Sequence, residues 1–83
     1  MNNLIIKRKV TRVIDGGTFE IARKIGGTNR IRIAGLNAPE LSEKGGIYAK
    51  AKLKDLIEGR IVTITPVSRS FGRIAAGVRK KNK

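Results

Sequence analysis

Thr18-Phe19-Glu20-Ile21-Ala22-Arg23-Lys24-Ile25-Gly26-Gly27-Thr28-Asn29-Arg30-Ile31-Arg32-Ile33 reads as a β-hairpin. Two alternating runs, Thr18 to Arg23 and Arg30 to Ile33, flank a glycine pair of the kind that closes a tight hairpin turn. Successive side chains in a strand point to opposite faces, so Arg30 and Arg32 share one face and Ile31 and Ile33 the other. Upstream, Leu4 to Ile14 mixes β-branched and basic residues and forms a long strand. Asp15-Gly16-Gly17 then makes a turn, with Asp bonding its own backbone and glycine supplying positive φ. Three consecutive antiparallel strands result.

Downstream the period changes. Leu36 to Gly46 carries Pro39 and the Gly45-Gly46 pair and reads as a loop. Ala49, Leu53, Leu56 and Ile57 then stand at helical spacing, and Gly59 is placed to end that helix after about a dozen residues. Arg60 to Thr65 is a fourth strand closed by Pro66. A turn over Ser68 to Gly72 leads to a fifth strand, Ile74 to Val78. The order β-β-β-α-β-β predicts a mainly β fold, a five-stranded OB-type Greek-key barrel with the helix plugging one end. Residues 1–78 form one domain on this basis, and 79–83 a basic C-terminal tail.

Nineteen Lys and Arg face six Asp and Glu among 83 residues, a net charge of +13. Most of these cations lack an internal partner, and a polyanion whose counterions are released on binding is their natural complement. The chain has no Cys and no His, which excludes disulfides, thiolate metal sites and the usual serine or cysteine hydrolase triads. No apolar run approaches membrane length, and the N-terminus is too short in apolar residues for a signal peptide, so a cytoplasmic location is expected. Aromatic residues make up only 4%, namely Phe19, Tyr48 and Phe71, which supplies little for stacking on unpaired bases. Backbone and shape recognition of structured RNA or duplex DNA suits this composition better.

Four motifs fall in register with one family: Val13-Ile14-Asp15-Gly16-Gly17-Thr18-Phe19, the run from Arg32 to Glu40, the helix from Tyr48 to Leu56, and Phe71-Gly72-Arg73-Ile74-Ala75. Together they resemble the staphylococcal nuclease-like, or thermonuclease, domain. The resemblance covers nearly the whole chain but only part of the family domain, which continues into further helices. It implies that Arg32 and Arg73 hold the scissile phosphate and that Glu40 is the general base. It also implies a calcium ion held by aspartates, which would fall at Gly17 and Asn37 here. Neither position carries a carboxylate, and Arg69 stands where the family often has an acid. Calcium requires several oxygen ligands with carboxylate charge.

The expectation is therefore a non-catalytic nucleic-acid-binding protein with no metal or cofactor, Arg32, Glu40 and Arg73 being vestigial. Its partner is read as structured RNA, ribosomal RNA first, alongside neighbouring ribosomal proteins, with no membrane and no small-molecule substrate. The phosphate contacts expected are Lys7, Arg8, Lys9, Arg12, Arg30, Arg32, Lys50, Lys54, Arg69, Arg73, Arg79, Lys80, Lys81 and Lys83. Two alternatives stand beside it. One is a minimal calcium-dependent nuclease using Arg32, Glu40 and Arg73; the other is a nucleoid protein coating duplex DNA.

Overall fold

The computed structural model of the chain describes residues 5–70 and 72–80. Its elements are β1 (Ile6–Asp15), β2 (Thr18–Ile25), β3 (Thr28–Ile33), α1 (Gly46–Ile57), β4 (Ile61–Ser70) and β5 (Arg73–Lys80). The strands close into a barrel in the order β1-β2-β3-β5-β4, with β1 returning to β4. Of these pairings, that of β3 with β5 is parallel and the others are antiparallel. This is the expected five-stranded OB-type barrel with one helix.

Alternation builds the interior. Val10, Val13, Phe19, Ile21, Ile31, Val62, Ile64, Ile74 and Ala76 fill the barrel, with Phe19, Ile31 and Ala76 wholly buried. Register shifts in β1 between Val10 and Arg12 and between Val13 and Asp15 bend the strand. Its first half can thus pair with β4 and its second half with β2. The β2–β3 turn has φ of 57° at Gly26 and 84° at Gly27, the two positive values that a primed hairpin turn requires. The Thr28 hydroxyl donates to the Gly72 carbonyl at 2.5 Å and ties this turn to the β4–β5 turn.

The helix rests against β1 and drives Ile57 into the core, with Leu53 packed beside it. Gly46 is buried at its start, because a Cβ there would collide with the Glu40 carbonyl oxygen. At the other end Gly59 adopts φ 81°, as a helix-terminating glycine should. Glu58 accepts a hydrogen bond from the Val13 amide at 3.0 Å, and the Gly59 amide donates to the Val10 carbonyl at 2.8 Å. The helix end is therefore fastened to β1 by polar as well as apolar contacts.

Several boundaries differ from the sequence expectation. The described part of β1 begins at Ile6 and extends through Asp15, leaving Gly16-Gly17 as the turn. Neither glycine has positive φ; Gly16 is needed for space, since a Cβ there would lie 2.7 Å from that of Ala49, whereas Gly17 faces the mobile end of Arg32. β4 runs on through Pro66 to Ser70, where a register shift between Pro66 and Ser68 accommodates a residue that has no amide proton. Arg79 and Lys80 belong to β5, paired with Thr63 and Val62, so the expected tail at 79–83 begins inside the sheet. Residues 81–83 lie outside the described part. Leu56 is 44% exposed, because α1 buries only the side that meets β1.

Candidate functional site

On the outer face of the β1–β2–β3 sheet two rows of side chains lie next to each other. The first row pairs Arg12 with Glu20 and Glu20 with Arg30. Arg12 Nε is 3.3 Å from one carboxylate oxygen of Glu20, and Arg30 Nη2 donates to the other at 2.9 Å. The hydrogen bond from Arg30 is the main influence holding the Glu20 carboxyl below its ordinary value; partial burial opposes it, and Arg12 adds charge and a further hydrogen bond. Arg73 precedes Ile74, the partner of Ile31, and so stands alongside Arg30 on the neighbouring strand.

The second row sets Asp15 opposite Thr18, and Thr18 opposite Arg32, with Ala75 beyond. Asp15 Oδ1 accepts the Gly17 amide at 2.8 Å, the local turn bond expected of an Asp-Gly-Gly sequence. Arg32 is half-buried and donates from Nη2 to the Leu36 carbonyl at 3.2 Å. Its Nη1 lies only 2.7 Å from where a Cβ on Gly17 would stand. The guanidinium thus occupies the space that a side chain at position 17 would take. The Thr18 hydroxyl is buried and has no hydrogen-bond partner among the described residues.

The loop after β3 brings Asn37, Ala38 and Glu40 to the same end. Ala38 is in van der Waals range of a Cβ on Gly17, at 3.7 Å, and would crowd one on Gly16 at 3.1 Å, so this loop covers the β1–β2 turn. Glu40 is exposed, and its amide donates to the Glu43 carboxylate at 2.7 Å. Beside it an apolar groove of about 570 Å³ runs between the loop and α1, lined by Leu36, Pro39, Tyr48, Leu53 and Leu56. Tyr48 is 70% exposed at its rim, with the Lys52 ammonium 5.8 Å from the ring centre.

Calcium, which the thermonuclease resemblance implies, does not fit these donors. Among the described residues no three acids are grouped to hold a metal. Asp15 gives one of its oxygens to the turn amide, Asn37 offers a neutral amide, and Gly17 offers no side chain, with the Arg32 guanidinium beside it. Such a set is too poor in charged oxygen for a calcium ion.

The basic residues divide into groups that their order in the chain does not reveal. Lys7 and Lys9 point outward from β1, whereas Arg8 folds back to donate to the Arg23 carbonyl at 3.1 Å and the Lys7 carbonyl at 3.0 Å. Arg12 and Arg30 are engaged by Glu20, and Lys54 lies 3.9 Å from Glu58 one helical turn away. Arg69 lies over the β2–β3 turn, its Nη1 3.1 Å from where a Cβ on Gly26 would stand. Lys50 is half-buried on α1, while Arg73, Arg79 and Lys80 are exposed on β5. Lys81, Lys83 and the motif residue Phe71 lie outside the described residues. Among the described residues, neither Arg32 nor Arg73 forms a salt bridge, with Glu40, Asp15 or any other acid. Thr18 is the site residue that sequence reasoning passed over, since a threonine opening a strand carries no signal until its partner across the sheet is known.

No family model matches the chain. It is 37% identical over 76 residues to a protein of Escherichia coli described as an uncharacterized endonuclease, a match covering 88% of this chain and 48% of that protein. A protein of the same description from Escherichia coli O157:H7 is 36% identical over the same length. The chain spans about half the length of these curated relatives. Their name overturns the expectation of a chain outside enzyme function, and neither is named for a ribosome. That expectation equated the loss of two carboxylates with the loss of all chemistry. Electrostatic stabilisation by hydrogen-bond donors and cationic side chains is a separate source of catalysis from a bound metal. No helix among the described residues is long and apolar enough to cross a membrane.

Proposed function

We propose that the chain forms the nucleic-acid-binding barrel of an endonuclease and that its substrate is a phosphodiester backbone. The observation that carries this reading is Arg32, a half-buried residue whose guanidinium no acid neutralises among the described residues, in a chain whose relatives are named endonucleases. Arg32 and Arg73 gather the phosphate and stabilise the charge that develops on its oxygens. Glu40, on the loop over the turn, takes the proton of the attacking water as the new P–O bond forms and the leaving oxygen departs. Lys7 and Lys9 on β1 and Arg79 and Lys80 on β5 extend the positive surface on either side of β4. The shortage of aromatic residues, with Phe19 sealed in the core, favours a structured RNA or duplex DNA backbone over unpaired bases.

The test is to incubate the 83-residue chain with supercoiled plasmid, single-stranded DNA and structured RNA, in EDTA and in calcium or magnesium. Nicking or cleavage that falls at least about tenfold in Arg32→Ala, the cost of losing one charge-assisted donor, supports the reading. Intact substrates under every condition would overturn it.

A further inference from the structure

We infer that the phosphate seat of this barrel uses a guanidinium in place of a divalent cation: Arg32, with Thr18 opposite it, binds backbone phosphate without calcium or magnesium. The inference rests on the nucleic-acid-binding reading above and specifies how that site recognises its ligand.

Three observations converge. Arg32 Nη1 lies 2.7 Å from the position of a Cβ on Gly17, so the guanidinium rests against the glycine and a carboxylate introduced there would stand beside it. One of the fork's nitrogens donates to the Leu36 carbonyl at 3.2 Å, which holds the side chain toward the loop while its other donors remain available. Across the strand pair, the Thr18 hydroxyl is buried without a partner among the described residues, a condition that native interiors seldom leave unexplained.

The acids are committed elsewhere. Of the six, Asp15 holds the Gly17 amide, Glu20 holds Arg12 and Arg30, Glu43 holds the Glu40 amide, and Glu58 holds Val13 and Lys54. Asp55 sits on the helix, within the polar groove formed with Lys9, Lys54 and Arg60. Glu40 on the loop and the second oxygen of Asp15 remain, and these carboxylates, without further charged ligands at 17 and 37, make a poor calcium site. A phosphate diester, by contrast, is matched by a planar guanidinium that presents paired donors.

The experiment measures binding of a fluorescein-labelled, phosphorothioate-protected oligonucleotide to the full chain by anisotropy, at constant ionic strength, in EDTA and in calcium chloride. Equal affinity within about twofold is expected, with a loss of about tenfold in Arg32→Ala, as for one charge-assisted hydrogen-bonding group. Gly17→Asp is expected to weaken binding to a similar extent, because its carboxylate pairs with Arg32. Arg32→Lys keeps the charge and removes the fork, and should not restore affinity. Each variant is compared with the parent by circular dichroism and thermal melting. If Gly17→Asp fails to fold, Arg32→Lys still decides, since it adds no bulk to the turn. Binding that requires calcium, or full affinity in Arg32→Lys, overturns the inference and leaves nucleic-acid binding intact. No binding in either buffer overturns both.

Discussion

Glu20 sits between two arginines, with its carboxyl held below the ordinary glutamate value chiefly by the hydrogen bond from Arg30. A depressed folded-state pKa contributes stability that is fully present above the unfolded value, near about pH 4.3, and is lost as the pH falls through the folded value. Urea midpoints measured down a pH series should therefore drop more steeply below about pH 4 in the parent than in Glu20→Gln. Near neutral pH the same substitution should cost up to about 1 kcal/mol, since both pairs are at the surface. Gly46 is a different kind of residue determinant, because its hydrogen faces the Glu40 carbonyl. Gly46→Ala should lower stability by about 2–3 kcal/mol in a denaturant titration, the range for overpacking a closed site.

Among the elements, the β2–β3 hairpin carries both the ion-pair row and Arg32, so its turn sets the geometry of the site. Gly27 holds φ at 84°, and Gly27→Val should destabilise by about 1–2 kcal/mol through backbone strain. Its effect on oligonucleotide affinity should appear as the hairpin loses register, and not before. Phe19 lies at the centre of the same hairpin, paired with Ile31 and with no exposed surface. Phe19→Ala should cost about 3–5 kcal/mol, read by thermal or urea unfolding. In a barrel this small such a loss is a large share of the total stability.

Across the whole molecule, a charge of +13 governs how binding responds to salt. The logarithm of the affinity for a single strand should fall linearly with the logarithm of salt concentration, by about 0.7 per phosphate neutralised. Lys7→Ala and Lys9→Ala should each reduce that slope by roughly one contact, about 0.7, whereas Arg8→Ala should leave it nearly unchanged. Arg8 already donates to two backbone carbonyls and its role is to hold β1 against β2. A flat salt profile would contradict phosphate recognition altogether.

The order of strands and helix was legible in the sequence, because alternation and the Gly26-Gly27 pair are local signals that survive without tertiary context. The strand ends were not, since Pro66 is admitted to the sheet by a register shift and Arg79 by its pairing with Thr63 of β4, neither of which is signalled locally. For the site, Gly17, Arg32, Asn37 and Glu40 could be picked out from the order of motifs, and so could the missing carboxylates. Which cations are engaged and which remain open depends on cross-strand register: Glu20 meets Arg12 and Arg30, while Arg32 meets Thr18. The sequence by itself thus determined the barrel and its excess of positive charge, through residue periodicity and composition. Only the tertiary structure decided that Arg32 fills the space at Gly17, because strand pairing and the overlying loop bring those atoms together.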